Sequence, residues 1–537
     1  MSTPTKLEQD TSQDAVPQSG TASGSVLSDV VEYPHGITLV MVLLANAMSI
    51  FLVALDMTIV TTAIPTITNE FRNVSQVGWY GSAFFLTLAT FQSFWGKLYK
   101  FVSVKATFLA CTIIFEVGSL VCAVSKNSPT LVVGRAIQGW GAAGIISGCY
   151  IIMSLVVIAS RLPAFTGIIG TVFGLASVAG PLLGGVFTDG VSWRWCFYVN
   201  LPIGGTALGL ILFFLRTPKK AVAVPWSEIL LQLDLPGVGI ILSALICFLL
   251  VMQWAGAKLS WGASTVIGLL VGFVLLTSLF VAIEILSRER AAIVPRIMKQ
   301  RVVAVCCGYV FLQSGANFLF TYYIPIYFQA IDGASAAESG IRNLPLIVGS
   351  SVFAAVSGAT VGRVGYFMPF LVIGSGMFTI GGGLTYTLGI GSSAAKYIGY
   401  QLLLGIGQGL CIQIPVIASQ AFALPEDIPA ATSMILFFQM MGGAVFVAAG
   451  QSVFENRLLL AVAKYPDIDF SFLLTVGASD LGGKFADSTL TAVLESYLDA
   501  LKATFAFGTA VAGVAVLAGL TAPWKSIRGS KTDVGMA

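Results

Sequence analysis

Residues 174–205 read GLASVAGPLLGGVFTDGVSWRWCFYVNLPIGG. An apolar segment dense in glycine gives way to a short polar break, with Arg194 between Trp193 and Trp195, and then to a second apolar segment. Gly170 and Gly174, like Gly180 and Gly184, stand four residues apart, a spacing that lets helix backbones approach where lipid supplies no hydrophobic drive. Pro181 has no amide hydrogen to donate, so the carbonyl of Ser177 loses its helical partner and a bend is expected. Such a helix suits a wall that moves against a neighbour. The plain alternative is that Gly and Pro are simply commoner in membrane helices.

Composition places the whole chain in the same solvent. Of 537 residues 56% are hydrophobic and 10% charged, with a mean hydropathy of +0.89. Soluble proteins carry about 25% charged residues, so lipid rather than water surrounds this chain. A net charge of +3 gives no reason to invoke nucleic acid. The eight Cys lie in or beside apolar segments without metal-ligand spacing and read as small buried hydrophobes. The single histidine, His35, excludes a His-based metal cluster, so no metal site is expected. The polar first 34 residues lack an apolar core of the signal-peptide kind and read as a disordered cytosolic tail.

A spanning helix needs about 20 mostly apolar residues. Spans are predicted at 37–63, 77–98, 106–125, 130–158, 163–187, 197–215, 236–255, 263–286, 302–328, 340–361, 366–389, 394–423, 429–454 and 498–521. Fourteen crossings put both termini on one side. A cytosolic N-terminus places 17 of the 28 Lys and Arg in cytosolic tails and loops; ten lie on the other side, four of them in or beside the long loop 455–497. The asymmetry favours cytosolic termini. The sequon Asn73-Val74-Ser75 then falls in the first external loop as a candidate glycosylation site.

GRAIQGWGAAG at 134–144 is echoed by LLGIGQGL at 403–410, and WGKLYK at 95–100 by VGRVG at 361–365. This weak repeat divides the chain into a six-helix bundle at 35–215 and a second at 302–525 that includes the external loop 455–497. A linker at 216–301 carries two inserted helices, and 526–537 is a cytosolic tail. Repeats of this kind build a binding site near the bilayer midplane, between the halves.

Most charges cap helix ends; three stand deeper inside spans, where a charge costs at least about 2.5–3.5 kcal/mol and usually faces a cavity or a partner. Asp56 is either a carboxylate that titrates as its surroundings alternate between dry and wet, or half of a fixed ion pair. Arg135, amid glycines, is a coupling residue or a helix lock on backbone carbonyls. Glu116 is a proton relay, a contact for a cationic substrate, or a structural group. Phe311, Phe318, Phe320, Tyr322, Tyr323, Tyr327 and Phe328 crowd the ninth span; they line a pocket or face lipid, the latter being preferred for any one of them. ASDLGGKF at 478–485 lacks the first Gly and the closing Ser/Thr of a phosphate loop, so no ATPase is expected.

With these motifs the sequence resembles the major facilitator superfamily, specifically its fourteen-helix drug:proton antiporter family. LDMTIVTTAIP (55–65) is similar to the first-helix signature through Asp56, Thr58 and Pro65, with Thr61 where many members have Asn. GRAIQGWGAA is similar to the fourth-helix motif, its arginine at Arg135. GLASVAGPLLGG resembles the antiporter motif of the fifth helix through Gly174, Gly180, Pro181, Gly184 and Gly185. SWRWCFYVNLPIGG resembles the family's break before helix six through Trp193, Arg194, Trp195, Asn200 and Pro202. In the loop after helix two Gly96 and Leu98 fit, but Lys100 replaces an Asp and Ser103 a Gly, which departs from the family's cytosolic charge network. That loop, with IFEVGS, LPLIVGS and FFQMMGGAVF, looks most like the fungal toxin and multidrug efflux branch.

The resemblance implies an all-α polytopic membrane protein of the major facilitator fold, two six-helix bundles plus two inserted helices, without cofactor and not an enzyme. It implies export of small amphipathic or apolar compounds against protons, with Asp56 as the coupling carboxylate, Arg135 tuning it, and helix 174–185 packed on the opposite half. A monomer in the plasma membrane is expected, with the vacuolar membrane as the alternative. Competing readings are an importer or siderophore carrier on the same fold, a membrane-embedded lipid enzyme, and a receptor. One His without an acidic pair disfavours the enzyme, and the short tails disfavour the receptor.

Overall fold

The computed structural model describes residues 34–71, 77–158, 161–216, 225–256, 258–465, 468, 473, 481–485 and 487–528. Asn73 lies outside these residues, as do most of the two expected tails and much of 462–487.

The first helices are α1 (Gly36–Phe71), α2 (Val77–Thr90), α3 (Gln92–Phe101), α4 (Val104–Ala123), α5 (Ser128–Val156), α6 (Leu162–Gly190), α7 (Trp195–Tyr198) and α8 (Asn200–Phe214). The middle of the chain forms α9 (Trp226–Gln232), α10 (Leu235–Trp254), α11 (Ser264–Ser287) and α12 (Pro295–Met298). There follow α13 (Arg301–Asp332), α14 (Ala336–Arg342), α15 (Leu344–Val364), α16 (Met368–Thr385), α17 (Ala394–Cys411), α18 (Ile414–Phe422), α19 (Ile428–Val462) and α20 (Asp487–Leu520). Among the described residues there is no β-strand, only two isolated bridges.

Local chemistry sets the helix ends. Asn127 accepts the amide of Thr130 at 2.9 Å and so caps α5 ahead of Pro129. Gly333 and Gly365 close α13 and α15 with φ of 64° and 87°, the left-handed turn that favours glycine.

Thirteen described segments are helical, long and apolar enough to cross a bilayer. The expected span 77–98 is not among them, because Phe91 (φ −86°, ψ 2°) divides it into α2 and α3. Several expected spans are shorter than their helices, the first being 37–63, which runs to Phe71 in α1. The span predicted at 429–454 runs to Val462 in α19, and that at 498–521 begins at Asp487 in α20. The extra turns of α19 carry Glu455 and Arg457, and Arg457 Nε donates to Asp499 Oδ2 of α20 at 2.9 Å. Hydropathy marks the thickness of the hydrocarbon, whereas a helix continues for as long as its polar side chains find partners.

The helices α1, α2, α4, α5, α6 and α8 pack among themselves, as do α13, α15, α16, α17, α19 and α20. The two sets meet where α6 runs along α15 and where α2 and α3 run along α19. The pair α10–α11 packs on itself and lays α10 against both α2 and α19. Loops meet at what we call the proximal end, where Lys105 Nζ donates to Leu212 O at 2.6 Å and Arg301 Nη2 to Thr521 O at 3.0 Å. At the distal end Arg194 Nη2 donates to Ser125 O at 3.0 Å and Asn456 Nδ2 to Ala255 O at 3.2 Å.

Seven of the eight cysteines are buried, Cys247 partly so, and none forms a disulfide. Close packing depends on absent side chains. A Cβ on Gly141 would lie 2.7 Å from Cys111 O and 2.8 Å from Phe115 Cα, so α5 could no longer rest on α4. We predict that Gly141→Leu abolishes the monodisperse peak in size-exclusion chromatography, whereas Gly239→Leu, which meets nothing within 4 Å, retains it.

Candidate functional site

Asp56 lies on α1, about 30 Å along the helix from Gly36 at 1.5 Å per residue. It is fully buried. Its Oδ2 accepts Arg135 Nη1 in a charge-assisted pair, and its Oδ1 accepts Gln138 Nε2 and Asn200 Nδ2, each at 3.0 Å. Arg135 is held by more than this carboxylate. Its Nε donates to Tyr80 O at 2.9 Å and its Nη1 also to Gln138 Oε1 at 3.0 Å, and the guanidinium lies 4.3 Å from the centre of the Phe84 ring. Four helices thus converge on one pair: α1 gives the acid, α5 the base and Gln138, α2 a carbonyl and a ring, and α8 Asn200.

Two of these partners were not legible as site residues. Gln138 lies one turn beyond Arg135, a spacing that puts both side chains on one face of α5. Asn200 belongs to the stretch that resembles a structural break, yet it also donates to Ser119 Oγ at 2.9 Å, and Ser119 donates to Phe197 O at 2.9 Å. Glu116 is one turn before Ser119 on α4 and faces Gly204 of α8. Neither of its buried carboxyl oxygens has a hydrogen-bond partner among the described residues. It lines neither of the cavities described below.

The Trp-Arg-Trp break forms a corner. Glu70, at the end of α1, accepts Trp193 Nε1 at 2.7 Å and Arg194 Nη2 at 2.8 Å. The hydrogen bond from Arg194 holds the Glu70 carboxyl below its ordinary range. Trp193 is buried edge-on between Phe71 and Phe197, whereas Trp195 and Pro202 face outward. This corner ties α1 to the α6–α8 connection at the distal end.

The glycine-rich helix divides its contacts, which corrects the expectation that all of 174–185 packs on the opposite half. A Cβ on Gly170 would lie 3.1 Å from Ala354 Cβ, and one on Gly174 would meet Ser351, both of α15. Gly180 and Gly184 instead face α1: a Cβ on Gly180 would lie 2.9 Å from Thr58 Cβ and one on Gly184 3.2 Å from Ile59 Cγ1. Gly185 faces open space. The helix continues through Pro181, which lies beside Gly340. α6 is therefore a spacer with α1, the carrier of Asp56, on one face and α15 on the other.

At the proximal end the two sets are clasped. Asp427, buried just ahead of α19, accepts Arg296 Nη1 at 2.8 Å, Arg296 Nη2 at 3.0 Å and Lys100 Nζ at 3.2 Å. Lys100 replaces the Asp of the family pattern, and the structure supplies the complementary sign from the opposite set. The network is reversed in polarity rather than lost. A Cβ on Gly96 would strike Ser433 and lie 3.3 Å from Pro429 O, so α3 and α19 touch by backbone. Behind them Tyr150 Oη donates to Gln413 Oε1 at 2.9 Å. The neighbouring Lys97 is buried and donates to Gln232 O at 2.8 Å and to Arg290 O, tying both ends of the inserted pair to α3.

Between the two sets lie two cavities. One of about 120 Å³ includes Tyr150, Gly170, Gly174, Asn317 and Gln439 in its wall. The other, of about 420 Å³, is lined by the distal halves of α1, α2, α10, α13 and α19, and Arg135 contributes to it. Met57, Phe85, Phe318 and Tyr322 line both. Of the ninth-span aromatics, Phe318, Tyr322 and Tyr323 face a cavity. Phe320 stacks on Phe505 at 5.7 Å, Phe311 meets Phe446 at 5.3 Å, and Tyr327 and Phe328 are buried. None of the seven is exposed, contrary to the lipid-facing preference, because α13 is central among α18, α19 and α20.

No group of three or more His, Cys, Asp or Glu placed to hold a metal occurs among the described residues. A paired acid and base beside a large, mostly apolar cavity between two helix sets suits a carrier rather than bond-making chemistry.

Known proteins agree with this geometry. The chain is 42% identical over 523 residues to the MFS-type transporter GME11371 of Pestalotiopsis microspora, covering 96% of this chain and 95% of that protein. It is 40% identical over 499 residues to a dehydrocurvularin exporter of Alternaria cinerariae, covering 92% and 86%. The crystal structure of the human organic anion transporter MFSD10 shares the fold with a TM-score of 0.57 at 14% identity, over 90% of this chain and 99% of that one. The model of the Major Facilitator Superfamily matches residues 47–447. This chain belongs to the Major Facilitator Superfamily and is an integral, multi-pass membrane transport protein.

Proposed function

We propose that this protein exports small amphipathic or apolar compounds, secondary metabolites, toxins or drugs, in exchange for protons by alternating access. The observation that carries the reading is the buried Asp56–Arg135 pair in the wall between the halves, with Arg135 itself lining the large cavity. The name of the Alternaria relative, an exporter of dehydrocurvularin, supports the direction and the class of cargo.

The proposed cycle uses the multiplicity of the pair's partners. A proton on Asp56 removes the ionic attraction and leaves the buried Arg135 charge bound to Tyr80 O, Gln138 and the Phe84 ring, contacts that lower the cost of losing its counter-charge. In the proximally clasped state described above, cargo leaves distally as the proton arrives. Release of the clasp and deprotonation on the proximal side then reset the carrier. Glu116 is proposed as a proton relay; Ser119 and Asn200 connect its helix to Asp56. The inward proton direction rests on cytosolic termini, which the distribution of Lys and Arg supports. A plasma-membrane monomer, glycosylated at Asn73, completes the proposal.

In proteoliposomes with an imposed pH gradient, Asp56→Asn is expected to keep near-normal expression and to lose gradient-driven export. Unimpaired coupled export by that variant would remove Asp56 from the mechanism. For the clasp, Ser433 is 1% exposed behind it. In a Ser433→Cys protein, adding Asp427→Asn is expected to raise the rate of labelling by an impermeant maleimide from the proximal side about tenfold, for a loss of about 1.4 kcal/mol. An unchanged rate would show that the clasp does not hold that end shut.

A further inference from the structure

The inserted helix pair is not peripheral to the cavity. α10 lies in the seam between α2 and α19, where Leu245 and Leu249 pack with Leu86 and Phe437. Its distal turn is pinned there: Asn456 Nδ2 donates to Ala255 O at 3.2 Å and Asn456 Oδ1 accepts Trp261 Nε1 at 3.2 Å. One turn before that pin, Leu249 and Gln253 of α10 form part of the wall of the 420 Å³ cavity. Gln451 and Glu455 of α19 line the same cavity.

The polar groups of this wall differ in what they have left to offer. Arg135 Nε and Nη1 are committed to Tyr80 O, Asp56 and Gln138. Glu455 Oε1 accepts Gln451 Nε2 at 2.8 Å. No other group among the described residues donates to the Glu455 carboxyl, and the Gln253 amide makes no side-chain hydrogen bond. The wall therefore presents unused acceptor capacity at one end and the aromatic rings of Phe318, Tyr322 and Phe454 along its length.

We propose that Gln253, Gln451 and Glu455 form a polar subsite, built jointly by the inserted helix and the second half, that receives a hydrogen-bond donor of an aromatic cargo. The cargo class is an uncharged aromatic compound bearing a hydroxyl group; an aromatic carboxylate is repelled by Glu455. This inference rests on the reading of the cavity as the cargo site, and it assigns the extra helix pair a part in selectivity.

The test is equilibrium binding of 6-hydroxyflavone and 6-methoxyflavone to the full chain in lipid nanodiscs at pH 6. Methylation removes the donor and adds one methyl group, so the wild-type ratio is read against the ratio in each variant. The wild type is expected to bind the hydroxyl form about tenfold more tightly. Gln253→Leu and, separately, Glu455→Met are expected to bring the ratio near one, chiefly by weakening 6-hydroxyflavone binding. A ratio near one in the wild type, a ratio that survives both substitutions, equal loss of both probes, or no binding of either probe would overturn the subsite. No proton gradient is present, so the outcome is separate from that of the Asp56→Asn export experiment.

Discussion

A carboxylate and a guanidinium held together away from water constrain everything around them. Separating Asp56 from Arg135 by deleting one partner would ordinarily cost about 3–5 kcal/mol, because the other is left as a buried charge. The surroundings temper that cost asymmetrically. Arg135 has a carbonyl, an amide oxygen and a ring besides its acid, whereas Asp56 has two amide donors and no second cation. In the proposed cycle the arginine is therefore the fixed fitting and the acid the removable charge. Four helices must be placed within ångströms to arrange this, which explains why glycines fill the contacts of α5 with α2 and α4.

Distance from this pair organises the remaining parts. α6 carries the coupling face, with α1 on one side through Gly180 and Gly184 and α15 on the other through Gly170 and Gly174. In the proposed cycle, a shift of α1 on change of charge would pass through this packing to the second half. The proximal clasp at Asp427 and the corner at Glu70 sit at opposite ends of the same lever, one joining the two halves and the other fixing α1 within its own half. The inserted pair touches both halves, through Lys97 at the proximal end and Asn456 at the distal end.

The fold was readable because lipid imposes a simple rule: long apolar runs become helices, and intramembrane charges stand out against them. Asp56 and Arg135 were visible for that reason, but their contact was not, since 79 residues separate them. Gln138 and Asn200 were less visible because uncharged amides are common in polar breaks and on helix faces, and only packing brings them to Asp56. The reversed clasp was hidden because Lys100 departs from the pattern and its answer, Asp427, lies 327 residues away. Hydropathy placed Glu455 in a loop, since it scores residues for lipid solubility and cannot credit a helix that continues to line a cavity.

The central claim is that Asp56 takes up and releases a proton while the protein stays folded. Infrared difference spectroscopy of the protein in lipid, between pH 8 and pH 5, reads this directly through the stretching band of a protonated carboxyl group. We predict a band in the wild type that is missing from Asp56→Asn. A spectrum without any Asp56-dependent band over that range would mean that the pair is a fixed structural bridge, and would contradict proton coupling at this site.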